Sequence, residues 1–184
     1  MTLRKSGATK APQQGAADAP RFTQVPAETM AVVRACGEPR AAADMALPAL
    51  YGCVYLIRAQ LKRRGKVFKV GPLRGRWPDA HLVPRERWTA IFGLPIPESV
   101  HELPQKKPDV AVARERWEYG TVAELLHIGP YETEGATVRR LHDFITEQGY
   151  EICGPHEEVY LTTRRAKVQK TLIRYPVRPK LGGS

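Results

Sequence analysis

Residues 154–177, GPHEEVYLTTRRAKVQKTLIRYPV, decide the fold of this chain. Strand side chains alternate between two faces, so the opening of this stretch puts His156, Glu158 and Tyr160 on one face. The alternate residues fall on the other face: Glu157, Val159 and Leu161. The pattern predicts that Glu158 and Tyr160 look into a cavity while the apolar residues of the other face pack on a core. The alternative is that both side chains face solvent.

A partial match to the start of this stretch occurs earlier in the chain. GPLRGRW aligns with GPHEEVY at a constant offset of 83 residues, so that Gly75 aligns with Glu158 and Trp77 aligns with Tyr160. A second echo relates WTAIFGLPIP to KTLIRYPVRP in the same order. These echoes predict an internal duplication. The missing side chain of Gly75 is expected to leave room for a ligand beside Glu158.

Apolar periodicity predicts strand, helix, strand and strand in each half of the chain. The predicted elements are a first strand within 22–34, a helix over 47–61 with Pro48 in its first turn, strands at 66–77 and 88–94, a strand at 118–128, a helix at 133–148, and two strands in 154–177. The fold class is therefore α+β, with duplicated units sharing an antiparallel sheet. Helices are expected on one face, and a ligand cleft lined by Gly75, Trp77, Glu158 and Tyr160 on the other.

Domain boundaries follow from composition. Residues 1–20 carry almost no large apolar side chain and are predicted to be a disordered tail. The domain is expected over 21–177, with a first half at 21–97, a proline-rich and charged linker at 98–116, and a second half at 117–177. Residues 178–184 are expected to be a frayed C-terminal tail.

Several functional classes are disfavoured by the sequence. The longest apolar segment, 46–59, is interrupted by Pro48 and Gly52 and is too short for a membrane span. The basic N-terminus has no apolar run behind it, so neither a signal peptide nor an anchor is expected. The three cysteines lack metal-ligand spacing and predict buried thiols in a reducing cytoplasm: Cys36, Cys53 and Cys153.

The net charge of +10 invites a nucleic-acid interpretation. Residues 58–76 contain eight Lys and Arg residues and no acid. Most of them suit the end of a helix, where cations favour the dipole, so nucleic acid is not the expected partner. Arg74 and Arg76 fall on the strand face predicted to be covered by helices, where two arginines have no explanation.

Histidines and cofactor motifs give weak signals. His127 in LLHIGPY is either a cleft acid or base, or a hydrogen-bonded histidine at a strand end. His142 is predicted on the surface of the second helix. The five histidines are scattered, and no spacing brings two ligands together, so no metal is expected. No nucleotide-binding motif is present, and no cofactor is expected.

Three motifs follow one another in the second half of the chain: VAELLHIGPYETEG (122–135), LHDFITEQGYEICGPHEEVYL (141–161) and KTLIRYPV (170–177). In order and spacing they resemble the GyrI-like family, the gyrase-inhibitor-like small-molecule-binding domain also found as the effector module of some AraC-type and MerR-type regulators. The resemblance covers roughly residues 22–177. It implies a duplicated fold with a cleft in which the matched glutamate, Glu158, engages cationic, amphipathic ligands. The matched aromatic residues are Tyr160, Tyr131 and Trp77. We expect a standalone domain with no DNA-binding module ahead of it.

Some standalone members of the family hydrolyse cyclopropane-bearing electrophilic toxins, which implies Glu158 as a general base assisted by Tyr160. Those members usually read close to PLEGLWW, whereas this chain reads PLRGRWP, with Arg74, Arg76 and Pro78 as departures. Binding or sequestration of an aromatic or cationic compound is therefore the leading hypothesis. Hydrolysis is the second, and binding of DNA or a DNA-bound topoisomerase through residues 58–76 is the third.

Overall fold

The computed structural model describes residues 19–80 and 82–181, so nearly all of the predicted N-terminal tail lies outside the described residues. Nine strands and two α-helices form within these ranges: β1 (Arg21–Val25), β2 (Glu28–Cys36), α1 (Pro39–Arg63), β3 (Leu73–Arg76), β4 (Thr89–Pro95), β5 (Ala113–Trp117), β6 (Gly120–Ile128), α2 (Gly135–Glu147), β7 (Tyr150–Ile152), β8 (Glu157–Tyr160) and β9 (Lys170–Pro179). A short 3-10 turn at Tyr131–Thr133 precedes α2.

The strands form an antiparallel sheet in the order β1-β6-β9-β8-β3-β4-β2-β5, and β7 pairs with the end of β9. The sheet is curled into a half-barrel and carries two helices, which confirms the coarse α+β class. The predicted order of strand, helix, strand and strand is present as β2-α1-β3-β4 and, with β7 added, as β6-α2-β8-β9. The internal duplication and the cleft stay predictions. At the centre of the sheet, Gly75 pairs directly with Glu158.

Two strand pairs join the first half of the chain to its later part. β1 pairs with β6, with Arg21 opposite Glu124, and β5 pairs with β2, with Trp117 opposite Glu28. The single strand predicted within 22–34 is thus two strands, separated at Pro26, where a proline cannot donate to a ladder. The segment predicted as a linker, 98–116, contains most of β5. Apolar residues of the same segment pack against the core under α1: Val100, Leu103, Val110 and Val112.

Helix α1 begins earlier than its apolar stripe predicts. The Glu38 side chain accepts hydrogen bonds from the backbone N–H groups of Arg40 and Ala41, and Pro39 occupies the first helical position. The alanine-rich turns that follow have high helix propensity. Pro48 therefore lies inside the helix and not in its first turn, where the prediction placed it. Among the described residues, no helix has the length and apolarity needed to cross a bilayer.

Both faces of the sheet are covered. On one face, α1 packs over β2 and β4, and α2 packs over β6 and β9 through Leu141 and Ile145. On the opposite face, an aromatic cluster containing Trp117 and Tyr119 covers the apolar side chains of β2 and β6. We call these the helix face and the aromatic face. The two faces give the central strands β3 and β8 two different buried environments.

Candidate functional site

Glu158 and Tyr160 lie on the helix face. Residues that pair directly in an antiparallel sheet point to the same side. Glu158 pairs with Ile173, which packs against α2, and Gly75 pairs with Phe92, which packs under α1. The prediction that these residues line a helix-free surface is therefore wrong. It failed because alternation separates the two faces of a strand without saying which one the helices cover.

Glu158 is buried beside a histidine and a second carboxylate. Its Oε1 lies 3.4 Å from Nε2 of His156, and a carboxylate oxygen of Glu134 completes a group whose ligand atoms all lie within 4.8 Å of one another. We call Glu134, His156 and Glu158 the carboxylate cluster. The expectation that no two candidate metal ligands come together is thus wrong. The turn before α2 folds over β8, and spacing along the chain cannot show that contact.

No lysine or arginine of residues 19–80 and 82–181 forms an ion pair with the carboxylate cluster. Within the described part of the chain, the ion pair of Glu158 is with His156, and Glu134 forms none. Oε2 of Glu134 is buried and has no hydrogen-bond partner among the residues that the structure describes. Burial, reinforced by the neighbouring Glu158, raises the pKa of Glu134 to about 7. The site therefore favours a positive charge, whether from a proton, a metal or a ligand.

Two tyrosines lie beside the carboxylate cluster. The Tyr160 ring covers Gly75 so closely that a Cβ added there would lie 2.7 Å from the Tyr160 hydroxyl. The space expected for a ligand beside Gly75 thus accommodates Tyr160 instead. The Tyr131 ring meets the Tyr160 ring edge-on, with centroids 5.7 Å apart. Burial and then Glu158 raise the pKa of both tyrosines, so each hydroxyl keeps its proton at neutral pH.

Sequence reasoning missed Tyr175 and misplaced His142. The Tyr175 hydroxyl lies 2.6 Å from Nδ1 of His156, which fixes the orientation of that ring. The His142 ring lies edge-on to Tyr175 at 4.8 Å and is half-buried, so the prediction that it lies on the helix surface is wrong. Burial and then His156 lower the pKa of His142. A signal was available, because His142 lies one turn after Val138 and beside the apolar stripe of α2.

Two predicted site residues have other contacts. Trp77 is buried in the core under α1, with its ring edge-on to Phe92 at 5.7 Å. Both ring nitrogens of His127 have hydrogen-bond partners in α2 or just before it: Nδ1 is 2.9 Å from Thr137 Oγ1, and Nε2 is 3.0 Å from the Pro130 carbonyl. The structure thus brings together Gly75, Tyr131, Glu158 and Tyr160, while Trp77 and His127 contribute no atom to the carboxylate cluster.

Arg74 and Arg76 lie on the aromatic face, contrary to prediction. Arg76 donates to Oε2 of Glu157 at 2.8 Å and lies over the Trp117 ring at 3.7 Å. Arg74 donates to the Tyr119 hydroxyl at 2.6 Å, and that hydroxyl donates to Glu157 at 2.9 Å. Glu157 is only 1% exposed. The two arginines that the sequence left unexplained therefore stabilise a buried carboxylate.

The other basic residues of 58–76 stay on the surface. Lys62 and Arg63 form the last turn of α1, where cations favour the helix dipole, as predicted. The exposed basic residues are Arg58, Lys62, Arg63, Arg64, Lys66 and Lys69. Arg74 forms an ion pair with Glu28, and Arg76 forms one with Glu157. The exposed basic surface of residues 58–76 is therefore smaller than the sequence suggests.

A surface pocket of about 300 Å³ lies along α1, and its lining does not include the carboxylate cluster. It is lined by Ala43, Asp44, Leu47, Pro48 and Tyr51. Arg164, from the loop between β8 and β9, donates to Asp44 at 3.3 Å. The positive charge of Arg164 also reaches Tyr131, where it offsets part of the rise in pKa that burial and Glu158 cause. The β8–β9 loop therefore connects the edge of this pocket with the tyrosines beside Glu158.

The chain thus combines an antiparallel sheet that carries two helices on one face with a carboxylate that is buried beside two tyrosines. The chain belongs to the family of the GyrI-like small molecule binding domain, whose family model matches residues 18–178. No curated protein matches the chain.

Solved structures show the same fold. A hydrolase from Listeria innocua is 27% identical, with a TM-score of 0.72, and the match covers 86% of this chain and 91% of the other. An uncharacterized conserved protein from Listeria innocua is also 27% identical, with a TM-score of 0.76 and coverage of 86% and 92%. The EcmrR C-terminal domain shares the fold at 13% identity, with a TM-score of 0.59 and coverage of 88% and 98%.

Proposed function

We propose that this protein binds aromatic, positively charged small molecules, with Glu158 as the anionic contact. The observation that carries the proposal is a carboxylate buried to 6% exposure with no Lys or Arg ion pair among the described residues. A buried charge without a full partner is costly, and a cationic ligand supplies the partner. Membership of a family defined by small-molecule binding supports the same conclusion.

The surrounding side chains suit an aromatic cation. Tyr131 and Tyr160 offer ring faces and hydroxyl groups beside the charge, and cation–π contact adds roughly 0.5–2 kcal/mol. The pocket along α1 offers Tyr51, Leu47 and the carboxylate of Asp44 to the rest of a longer ligand. Opening of the Arg164–Asp44 contact would join this pocket to the tyrosines.

Titration with a lipophilic cationic dye, in the presence of a metal chelator, tests the proposal. We expect saturable binding of one dye, and Glu158→Gln should weaken it at least tenfold, which is about 1.4 kcal/mol. Glu132→Gln is the matched control, because Glu132 is exposed and lies next to Tyr131. Binding that is equal in the wild type and in Glu158→Gln would refute the role of Glu158.

Hydrolysis is a second candidate function, favoured by the two carboxylates of the cluster. Glu134, whose pKa is raised to about 7, lies beside Glu158, which is the arrangement of a general acid with a general base. Glu158 would take a proton from water as the water oxygen bonds to a strained ring carbon. The electron pair of the broken carbon–carbon bond would then gain a proton from Glu134. The similar Listeria innocua structure described as a hydrolase supports this candidate.

The position of Trp77 changes which residues would contact a hydrolysis substrate. Trp77 is in the core, so stacking of a flat substrate falls to Tyr131, with Tyr160 close to the attacking water. We expect the wild type to open a cyclopropane-bearing alkylator, as followed by mass spectrometry, with a loss of at least 100-fold in Glu158→Gln and in Glu134→Gln. Stoichiometric protection of the alkylator without product would assign the site to binding alone.

A further inference from the structure

We propose that Glu134, His156 and Glu158 bind a divalent transition-metal ion, with Zn²⁺ as the best-fitting example. The inference goes beyond the proposed function and does not depend on it, since dye binding is measured with metal removed. It rests on the geometry of the carboxylate cluster, on an unpartnered buried oxygen, and on the group that orients the histidine.

The spacing of the ligand atoms fits a metal. Two ligands bonded to tetrahedral Zn²⁺ at about 2.0–2.1 Å lie about 3.3 Å apart. His156 Nε2 and Glu158 Oε1 lie 3.4 Å apart, and the Glu134 oxygen lies within 4.8 Å of both. A shift of the Glu134 oxygen by at most about 1.5 Å would bring it to the tetrahedral spacing. Within the described residues, the Glu134 side chain makes no capping hydrogen bond to α2 that would oppose this shift.

The Glu134 carboxylate has an oxygen that is available to a metal. Its Oε2 atom is buried and has no hydrogen-bond partner in the described part of the chain. Such atoms are rare in folded proteins, since an unsatisfied buried acceptor costs about 1–3 kcal/mol. A cation held between Glu134 and Glu158 satisfies it.

The histidine is oriented as metal ligands usually are. When Nδ1 of His156 donates its proton to the Tyr175 hydroxyl, at 2.6 Å, the lone pair of Nε2 points toward the carboxylate of Glu158. In that tautomer, two electron-rich atoms face each other, and a metal cation between them removes the repulsion. A hydrogen bond on the distal ring nitrogen is the usual support for a histidine ligand. The competing arrangement has the ring proton on Nε2, which donates to Glu158, while Nδ1 accepts from the Tyr175 hydroxyl.

The donor set indicates the class of ion. One imidazole and two carboxylates suit Zn²⁺, Co²⁺ or the harder Mn²⁺, and thiolate-preferring ions are disfavoured. Three protein ligands leave a fourth position open for water or a small molecule. Residues from the turn before α2 and from β8 would share the ion, so binding would also fasten α2 to the sheet.

Zn²⁺ titration of the full chain, freed of metal by a chelator, tests the proposal. Cys36→Ser and Cys153→Ser are included, since both thiols are exposed and could bind zinc on their own. We expect one Zn²⁺ per chain, a rise in melting temperature, and affinity weakened at least 100-fold by His156→Gln and at least tenfold by Glu134→Gln. Glu132→Gln and His101→Gln change exposed residues and should leave the affinity unchanged.

Two further results complete the test. Co²⁺ bound at the site should give visible absorption that disappears in His156→Gln, while circular dichroism shows that the variant stays folded. Tyr175→Phe removes the oriented hydroxyl and should weaken Zn²⁺ several-fold. The proposal is overturned if the wild type binds no Zn²⁺ at millimolar concentration, or if His156→Gln and Glu134→Gln bind it as well as the wild type. Dye binding that persists in those circumstances would leave the proposed function intact.

Discussion

Glu157 and Glu158 are adjacent in one strand and both are buried, yet the protein treats their charges in opposite ways. On the aromatic face, Glu157 is held by Arg76, by the hydroxyl of Tyr119 and, at 3.9 Å, by Arg174. On the helix face, Glu158 has a histidine and a second carboxylate as neighbours. A neutralised carboxylate holds the sheet together, whereas one left short of positive charge is available to a ligand. Under the proposed function, Glu157 is the structural charge and Glu158 the ligand-binding one.

The largest expected difference between the two glutamates is in the free energy of unfolding that each contributes. Glu157→Gln removes the negative charge that Arg76 and Arg174 surround, and we expect a loss of about 3 kcal/mol or more in the free energy of unfolding. Glu158→Gln removes a charge with no Lys or Arg partner among the described residues, and we expect less than about 1 kcal/mol of change. Urea denaturation measures both. Equal losses in the two variants would show that the faces do not differ in this way.

The second effect is a pH dependence on the helix face. The folded-state pKa of Glu134, about 7, lies above its unfolded value of 4.5, so the folded protein binds the proton more tightly. Stability is therefore lost as pH rises between about 4.5 and 7. In chelator, Glu134→Gln should remove this loss and be more stable than the wild type above pH 7, by about 2 kcal/mol. Thermal melts from pH 5 to pH 8 measure the difference, and parallel curves would contradict it.

The smallest effect has the opposite sign and belongs to the aromatic face. Burial alone would raise the pKa of Glu124, but hydrogen bonds from Arg21 and Arg174 outweigh it and lower the pKa below the usual value. Stability is then complete above about pH 4.5 and is lost as pH falls through the lowered pKa. Glu124→Gln should cost about 1 kcal/mol at pH 7 and flatten the acid limb of a stability profile. An unchanged acid limb would mean that Arg21 and Arg174 do not stabilise the Glu124 charge.

Much of the local structure follows from the sequence alone. The strand period puts Glu158 and Tyr160 on one face, and the register confirms that they share it. The apolar stripe Leu141 and Ile145 predicts α2, which the structure places within two residues of the predicted start. These predictions succeed because they depend on neighbours along the chain.

Predictions that depended on contacts distant in sequence failed. Both faces of β8 are buried, so the usual contrast between an apolar and a polar face is missing, and nothing in the strand shows which side holds the helices. Arg76 and Glu157 are register partners from opposite halves, and their pairing emerges only when β3 meets β8. Glu134 enters the site from a turn, where no periodicity applies.

The pairing of β1 with β6 has a consequence for how the chain acquires its structure during synthesis. Arg21 and Glu124 are separated by 103 residues, so β1 leaves the ribosome long before the strand it joins exists. A contact of such separation forms late, because loop closure must precede it. During synthesis, β1 of the first half therefore stays unpaired until β6 is made, and one edge of β2 stays unpaired until β5 is made. Premature termination between β5 and β6 should yield a product with an open β-edge that aggregates, not an independently stable half.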